Sequence, residues 1–205
     1  VYTYSLQDGT LKKLVELPTK ARIHGILCQM FNRIWIATEG SGLYMYDIKA
    51  KKLMNYRYED KASGLNSNYV RSLALDQENR LWVGTYSGLN IYKEGKDCFS
   101  SMESSITQAG TLSQNSVRCI FRDSQGGMWL GTYWGGLNYY HSLCNRFQQI
   151  KHIPFYNSLS DNVVSCIVED KKNNLWIGTS DGGLNFYDNI TKTYKNYLFN
   201  PDTSE

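Results

Sequence analysis

The sequence predicts an all-β fold built from propeller blades, and three observations carry that expectation. Trp35, Trp82, Trp129 and Trp176 stand 47 residues apart. Each sits in one recurring phrase: Asn32-Arg-Ile-Trp-Ile-Ala-Thr38, Asn79-Arg-Leu-Trp-Val-Gly-Thr85, Gly126-Gly-Met-Trp-Leu-Gly-Thr132 and Asn173-Asn-Leu-Trp-Ile-Gly-Thr179. Around each phrase, short apolar runs alternate with Asp, Asn and Gly turn residues. A period of this size marks one supersecondary unit used repeatedly. Such a unit buries its apolar faces only by stacking on its copies.

The second copy shows the elements in order. Val70–Leu75 reads as a first strand, a, and Asp76–Asn79 as a tight turn, since Asp and Asn bond their own backbone and tolerate left-handed geometry. Arg80–Thr85 is strand b, Tyr86–Gly88 a hairpin turn and Leu89–Tyr92 strand c. Strand d is placed near Cys98–Glu103, and a longer loop through Ala109–Leu112 leads to the next copy. Four short strands with three tight reversals form an antiparallel meander. Both faces of strands a and b are apolar, so the sheet needs neighbours on both sides, as propeller blades have.

The repeat columns have structural tasks. The indole on strand b suits the wedge between adjacent blades. Gly84, Gly131 and Gly178 follow two residues later, where bare backbone permits close approach, and the first copy carries Ala37 there. Gly42, Gly88, Gly135, Gly136, Gly182 and Gly183 are expected at hairpins that require positive φ. Cys119 and Cys166 share a column with Ser72 and Gly25, which asks for a small side chain and implies buried packing thiols. The approximate repeats are 21–67, 68–114, 115–161 and 162–205, after a stub, 1–20, that supplies strands c and d. Val1 is not Met, and the first residues read as mid-strand. The expectation is an open arc of about four and a half blades, a piece of a larger, seven-bladed ring.

Composition narrows the function classes. With 205 residues, 41% hydrophobic and 20% charged, the balance is that of a soluble globular chain, and no long apolar run suggests a transmembrane helix. Net charge is +3 with Lys and Arg scattered, so neither nucleic acid nor membrane is expected as a partner of this segment. Cys28, Cys98, Cys119, Cys144 and Cys166 form no C-x-x-C and no ligand spacing with His24, His141 or His152. No metal, cofactor or disulfide is therefore expected. The odd thiol count suits a reducing compartment, contrary to the location implied below.

The phrase L-W-[IV]-G-T-x-x-G-G-L-N-x-[YF], with V-x-x-[IL]-x-x-D a dozen residues earlier, is best kept in Val117–Tyr140 and Val164–Tyr187. It resembles the two-component regulator propeller repeat. The first copy departs most, with Ala37 for Gly, Tyr44 for Asn and Gln29-Met30-Phe31 in place of the Asp turn. The resemblance implies a sensor propeller on the periplasmic side of the bacterial inner membrane. It would be accompanied in the same chain by a neighbouring propeller and followed by a β-sandwich, a transmembrane helix and a histidine kinase, often in a hybrid system of the Bacteroidetes type. It also implies recognition of oligosaccharides and control of polysaccharide-utilisation genes.

In a propeller, the d–a loops and b–c turns share one face around the mouth of the axial channel, and strand a lines that channel. On this face fall Trp134, Tyr133, Arg118, Arg71, Tyr86, Asn115 and Asp181, with Asn68, Tyr69 and Asn162. Aromatic faces and planar amide or guanidinium groups are what sugar recognition needs. Trp134 lies outside the Trp column, at a turn tip where the fourth copy has Asp181. Arg71 and Arg118 would suit acidic sugars or pair with nearby acids, and the three asparagines suit loop capping. No acidic partner for Asp181 is legible. Two other functions stay open. One is an interaction or homodimerisation scaffold using Tyr56, Tyr58, Phe155 and Tyr156; the other is a propeller glycosidase or lyase, for which no catalytic constellation is visible.

Overall fold

In a computed structural model, residues 1–30, 32–58, 64–105, 110–141 and 144–198 are described, residues 144–148 by backbone alone. Phe31, Ala109 and the side chain of Cys144 thus lie outside the described residues. A two-stranded stub, β1 (Tyr2–Tyr4) and β2 (Leu11–Lys13), precedes four antiparallel four-stranded sheets. Blade 1 holds β3 (Ile23–Gln29), β4 (Arg33–Thr38), β5 (Leu43–Asp47) and β6 (Lys52–Tyr56). Blade 2 holds β7 (Val70–Leu75), β8 (Leu81–Thr85), β9 (Gly88–Lys93) and β10 (Cys98–Met102), with a 3-10 turn at Glu94–Lys96 before its last strand. Blade 3 comprises β11 (Val117–Arg122), β12 (Met128–Thr132), β13 (Leu137–His141) and β14 (Cys144–Ile150). Blade 4 comprises β15 (Val164–Glu169), β16 (Leu175–Thr179), β17 (Leu184–Asp188) and β18 (Thr193–Tyr197). Within each blade, strands pair only with their chain neighbours, the meander that the turn spacing predicts.

One interaction organises each repeat. The carboxylate at the a–b turn closes the turn with one oxygen and receives the indole N–H with the other. Asp76 Oδ1 accepts from the Arg80 amide and Oδ2 from Trp82 Nε1 at 2.9 Å. Asp123 does the same for the Gly127 amide and for Trp129 Nε1 at 2.8 Å. Asp170 takes the Asn174 amide and the Trp176 indole. In blade 1, Gln29 stands in for the acid: its Oε1 accepts from Trp35 Nε1 at 2.8 Å, and its Nε2 reaches across to the Asn79 carbonyl of blade 2. A buried indole N–H without an acceptor would be costly, so the acceptor six residues upstream is what lets the ring go inside.

The indoles then fill the seams. Trp35 packs with Val70, Val83, Tyr92 and Phe99 of blade 2; Trp82 with Val117, Met128 and Leu130 of blade 3; Trp129 with Val164, Ile167 and Tyr187 of blade 4. Leu65, Leu112 and Leu159, one per d–a loop, are fully buried in the same seams. The other face of blade 1 is covered by Val1, Leu14, Val15 and Leu17 of the stub. The blades do not close into a ring, and the chain is a partial propeller. Blade 4 therefore differs from the expectation. Trp176 is only half-buried, against Phe186 and Tyr197, and Cys166, expected as a packing thiol, is exposed beside Val168 and Leu184. Among the described residues no sheet lies against that face.

The small-residue columns prove to be one paired constraint. Register sets Gly25 opposite Ala37, Ser72 opposite Gly84, Cys119 opposite Gly131 and Cys166 opposite Gly178. A Cβ on Gly131 would lie 2.5 Å from Cys119 Sγ and 2.7 Å from Val164 Cγ1 of the next blade. Blade 1 can hold Ala37 because its partner there is Gly25. The hairpin glycines divide in two: Gly42, Gly88, Gly136 and Gly183 have positive φ, whereas Gly135 and Gly182 do not. Those two are required by space instead, since a Cβ would press on Ser113 and Ser160 respectively. Behind the b–c hairpins, the motif asparagines Asn90, Asn138 and Asn185 are fully buried and accept from the Asn66, Ser113 and Ser160 amides, fastening each d–a loop.

Two predictions follow from these seams. Gly131→Ala should cost about 1–3 kcal/mol through overpacking, and adding Cys119→Gly should recover part of that loss in urea melts. The second concerns alkaline pH. Burial pushes the Cys119 thiol up to about 12 from an ordinary 9.0 and raises Tyr56 and Tyr194 as well. The unfolded chain therefore releases protons that the native state retains, so stability should fall as pH rises from about 9 toward 12. Chemical denaturation across that range, with Cys119→Ala showing a shallower decline, measures it.

Candidate functional site

The inner strand of every blade carries the same irregularity. Its register slips between Ile23 and Gly25, Val70 and Ser72, Val117 and Cys119, and Val164 and Cys166. The skipped residues are His24, Arg71, Arg118 and Ser165. A bulged residue is released from the ladder and its side chain is re-aimed. All four line a single cavity of about 230 Å³, together with Glu39 and Tyr69. One cavity fed by all four blades marks the common axis about which the sheets fan.

Each bulged residue has a partner at the b–c turn. The first turn residue donates its amide to the residue just ahead of strand a: Glu39 to Arg22, Tyr86 to Tyr69, Tyr133 to Ser116, and Ser180 to Val163, at 2.9–3.0 Å. That bond sets the turn side chain beside the bulged one, and the two match chemically in every blade. His24 Nε2 stands 3.9 Å from Glu39 Oε2. The Arg71 guanidinium lies 5.0 Å from the Tyr86 ring centre, and that of Arg118 lies 5.4 Å from Tyr133. Ser165 Oγ and Ser180 Oγ are 3.4 Å apart. The mouth is thus four two-residue couples: imidazole–carboxylate, cation–π, cation–π and hydroxyl.

Outward from the two cation–π couples lies an open cleft of about 340 Å³, lined by Tyr86, Ser87, Gln114, Asn115, Ser116, Tyr133 and Trp134. Trp134 is 63% exposed and meets Tyr133 edge-on, with ring centres 5.1 Å apart. Arg71 Nη1 donates to Ser116 Oγ at 2.9 Å, joining cleft and axial cavity. Of the residues predicted for the site, the structure brings together Arg71, Tyr86, Asn115, Arg118, Tyr133 and Trp134. The Asn115 carbonyl oxygen already accepts from the Ser104 amide, as Asn68 does from Tyr58 and Asn162 from His152. Asp181 lines neither space. Its amide donates to Asp161 Oδ2 at 3.4 Å, so a carboxylate stands beside it that sequence reading does not anticipate. Glu39, His24, Ser165 and Gln114 escape that reading too. Their signal is the column: His24 and Ser165 align with the arginines, and Glu39 with Tyr86.

A larger cavity, about 510 Å³, opens in the seam of blades 3 and 4 between Trp129, Tyr139, Tyr187 and Tyr194. A similar crevice lies between blades 1 and 2 beside Tyr92 and Asp97. These spaces belong to inter-blade packing, whereas the mouth gathers polar groups from every blade. Among the described residues no three His, Cys, Asp or Glu side chains cluster as metal ligands.

The model of the two-component regulator propeller matches residues 64–87, 111–134 and 158–181. Each segment runs from the d–a loop through strands a and b into the b–c turn, so each includes both members of a mouth couple. These three segments are two-component regulator propeller repeats. Among solved structures it is similar to the extracellular domain of a hybrid two component system from B. thetaiotaomicron. The two share 27% identity with a TM-score of 0.75, over 96% of this chain and 26% of that one. A curated relative, "Histidine kinase P4" of Formosa agariphila, is 39% identical over 59 residues, 28% of this chain and 4% of the relative. Virginiamycin B lyase from Staphylococcus aureus shares the fold alone: 15% identity and a TM-score of 0.67, over 97% of this chain and 62% of that one. The chain thus spans about a quarter of the first structure and a small part of the kinase. Among its described residues no helix is long and apolar enough to cross a membrane.

The site residues differ in what they do for the propeller repeat itself. Trp134→Ala should leave stability within about 0.5 kcal/mol, because the ring is exposed. Asn115→Ala should cost about 1 kcal/mol, because it removes the side-chain bond that ties the Ser104 amide to the start of the next blade. Paired thermal melts measure both.

Proposed function

We propose that this chain is a ligand-sensing segment of an extracytoplasmic propeller in a two-component sensor, and that its mouth takes part in recognising oligosaccharides. The observation that carries this reading is the aromatic shelf of Trp134, Tyr133 and Tyr86 beside hydrogen-bonding groups on the axis. Sugar rings offer C–H faces that stack on aromatic planes and hydroxyls that pair with planar amides and guanidiniums. The similarity to an extracellular domain of a hybrid system supports a location on the periplasmic face of the inner membrane. Kinase and β-sandwich neighbours in the same chain, and control of polysaccharide-utilisation genes, belong to this proposal. No catalytic step is assigned to the segment.

A second reading is an interaction or dimerisation scaffold. It draws on exposed Tyr58, Phe155 and Tyr156. Tyr56 does not contribute to it. Its hydroxyl and that of Tyr92 both donate to Asp97 Oδ1, which ties blade 1 to blade 2.

Calorimetry against a panel of oligosaccharides tests the first reading. At least one glycan should bind, and Trp134→Ala should weaken it about ten-fold, the value of one aromatic stacking contact. Glycan-independent dimers in light scattering, with no binding across the panel, would favour the scaffold.

A further inference from the structure

The mouth carries more positive than negative charge: two arginines and one glutamate line its cavity. Arg71 and Arg118 occupy the same bulge position in adjacent blades and line one cavity. Each guanidinium is held over a tyrosine, Tyr86 or Tyr133, which fixes its plane without cancelling its charge. Arg71 spends one donor on Ser116 Oγ. The Arg118 guanidinium makes no hydrogen bond or ion pair among the described residues. The acid on this cavity is Glu39, which stands 3.9 Å from both Arg22 and His24; its charge also reaches Arg71 and acts against that of Arg118, so one carboxylate is shared among several basic groups. Ser165 and Tyr69 complete the lining with neutral groups. Burial, followed by the Arg118 charge, lowers the Arg71 pKa below its ordinary value. Two like charges facing one half-enclosed space weaken each other unless an anion enters, and fixed guanidiniums present forked donors to an oxyanion at no cost in side-chain ordering.

We infer that Arg71 and Arg118 form an oxyanion subsite on the propeller axis, which selects glycans bearing a carboxylate or sulfate group while the rest of the sugar lies on the Trp134 shelf. The inference rests on the oligosaccharide reading for its ligand class, but the subsite can be tested apart from it. A carboxylate or sulfate would sit between the two guanidiniums, taking the free donors of Arg118 and those that Arg71 has left. The Ser165 hydroxyl, at the same bulge position of blade 4 and on the same cavity, can donate as well. A neutral sugar would leave the positive excess of the cavity unanswered. Discrimination should therefore appear as a ratio between acidic and neutral ligands and should shrink as salt rises.

The experiment is calorimetry of the chain with three probes: a galacturonate oligomer, its carboxyl-reduced neutral counterpart, and inorganic sulfate. The expected result is at least ten-fold tighter binding of the acidic oligomer than of the neutral one. Arg118→Gln should abolish that ratio at an unchanged melting temperature, and Arg118→Lys should restore part of it. Trp134→Ala should weaken both oligomers by the same factor. Equal affinity for the two oligomers, or a ratio that survives Arg118→Gln, overturns the subsite and leaves the oligosaccharide reading standing. Sulfate binding that is lost in Arg118→Gln, with neither oligomer bound, upholds the subsite and counts against the glycan. No binding of any probe overturns the subsite.

Discussion

Everything in this arc depends on where the buried indole N–H finds its acceptor. A tryptophan ring is the largest apolar group available to fill the wedge between two radiating sheets, but its nitrogen must be satisfied if it is to enter. The repeat solves this with a carboxylate at the a–b turn, six residues upstream, which simultaneously closes the turn. Turn, strand pairing and inter-blade seam are thereby fixed by one side chain. In blade 1 the acid is replaced, yet Gln29 keeps the acceptor and adds a bond to the next blade. The chemistry of the position is kept where its identity is not.

That distinction explains what could be read in advance. The period, the four-strand meander and the seam-filling role of Trp35, Trp82 and Trp129 were legible, because each is a property of residues at fixed spacing. The exposure of Cys166 and the partial exposure of Trp176 were not. Their column assigns them to a seam, and only the three-dimensional arrangement shows that no sheet among the described residues lies against it. Gly135 and Gly182 were placed at the right turns for the wrong reason: their neighbours' side chains, not their own dihedrals, demand glycine. The Gly25–Ala37 exchange was likewise half visible. Each column looked merely small, and only the register makes them complementary.

The site was legible as a set of residue types and illegible as a set of pairs. Listing Arg71, Arg118, Tyr86 and Tyr133 on one face needs only the repeat. Seeing that each arginine lies over the tyrosine of its own blade needs the one-residue slip in strand a, which no periodicity reveals. The same slip brings His24 to Glu39 and Ser165 to Ser180, residues whose types alone suggested nothing. Asn115 shows the opposite case, a residue on the right face whose amide oxygen already serves the loop beneath it.

Because the bulged residue owes nothing to the ladder and its partner sits on a hairpin tip, a blade can exchange both for another compatible duo without disturbing its hydrogen-bonded frame. The four duos here already differ in charge, aromaticity and size on nearly superposable sheets. Selection can therefore rewrite the chemistry of the mouth one sector at a time, and relatives with the same architecture can present different groups there.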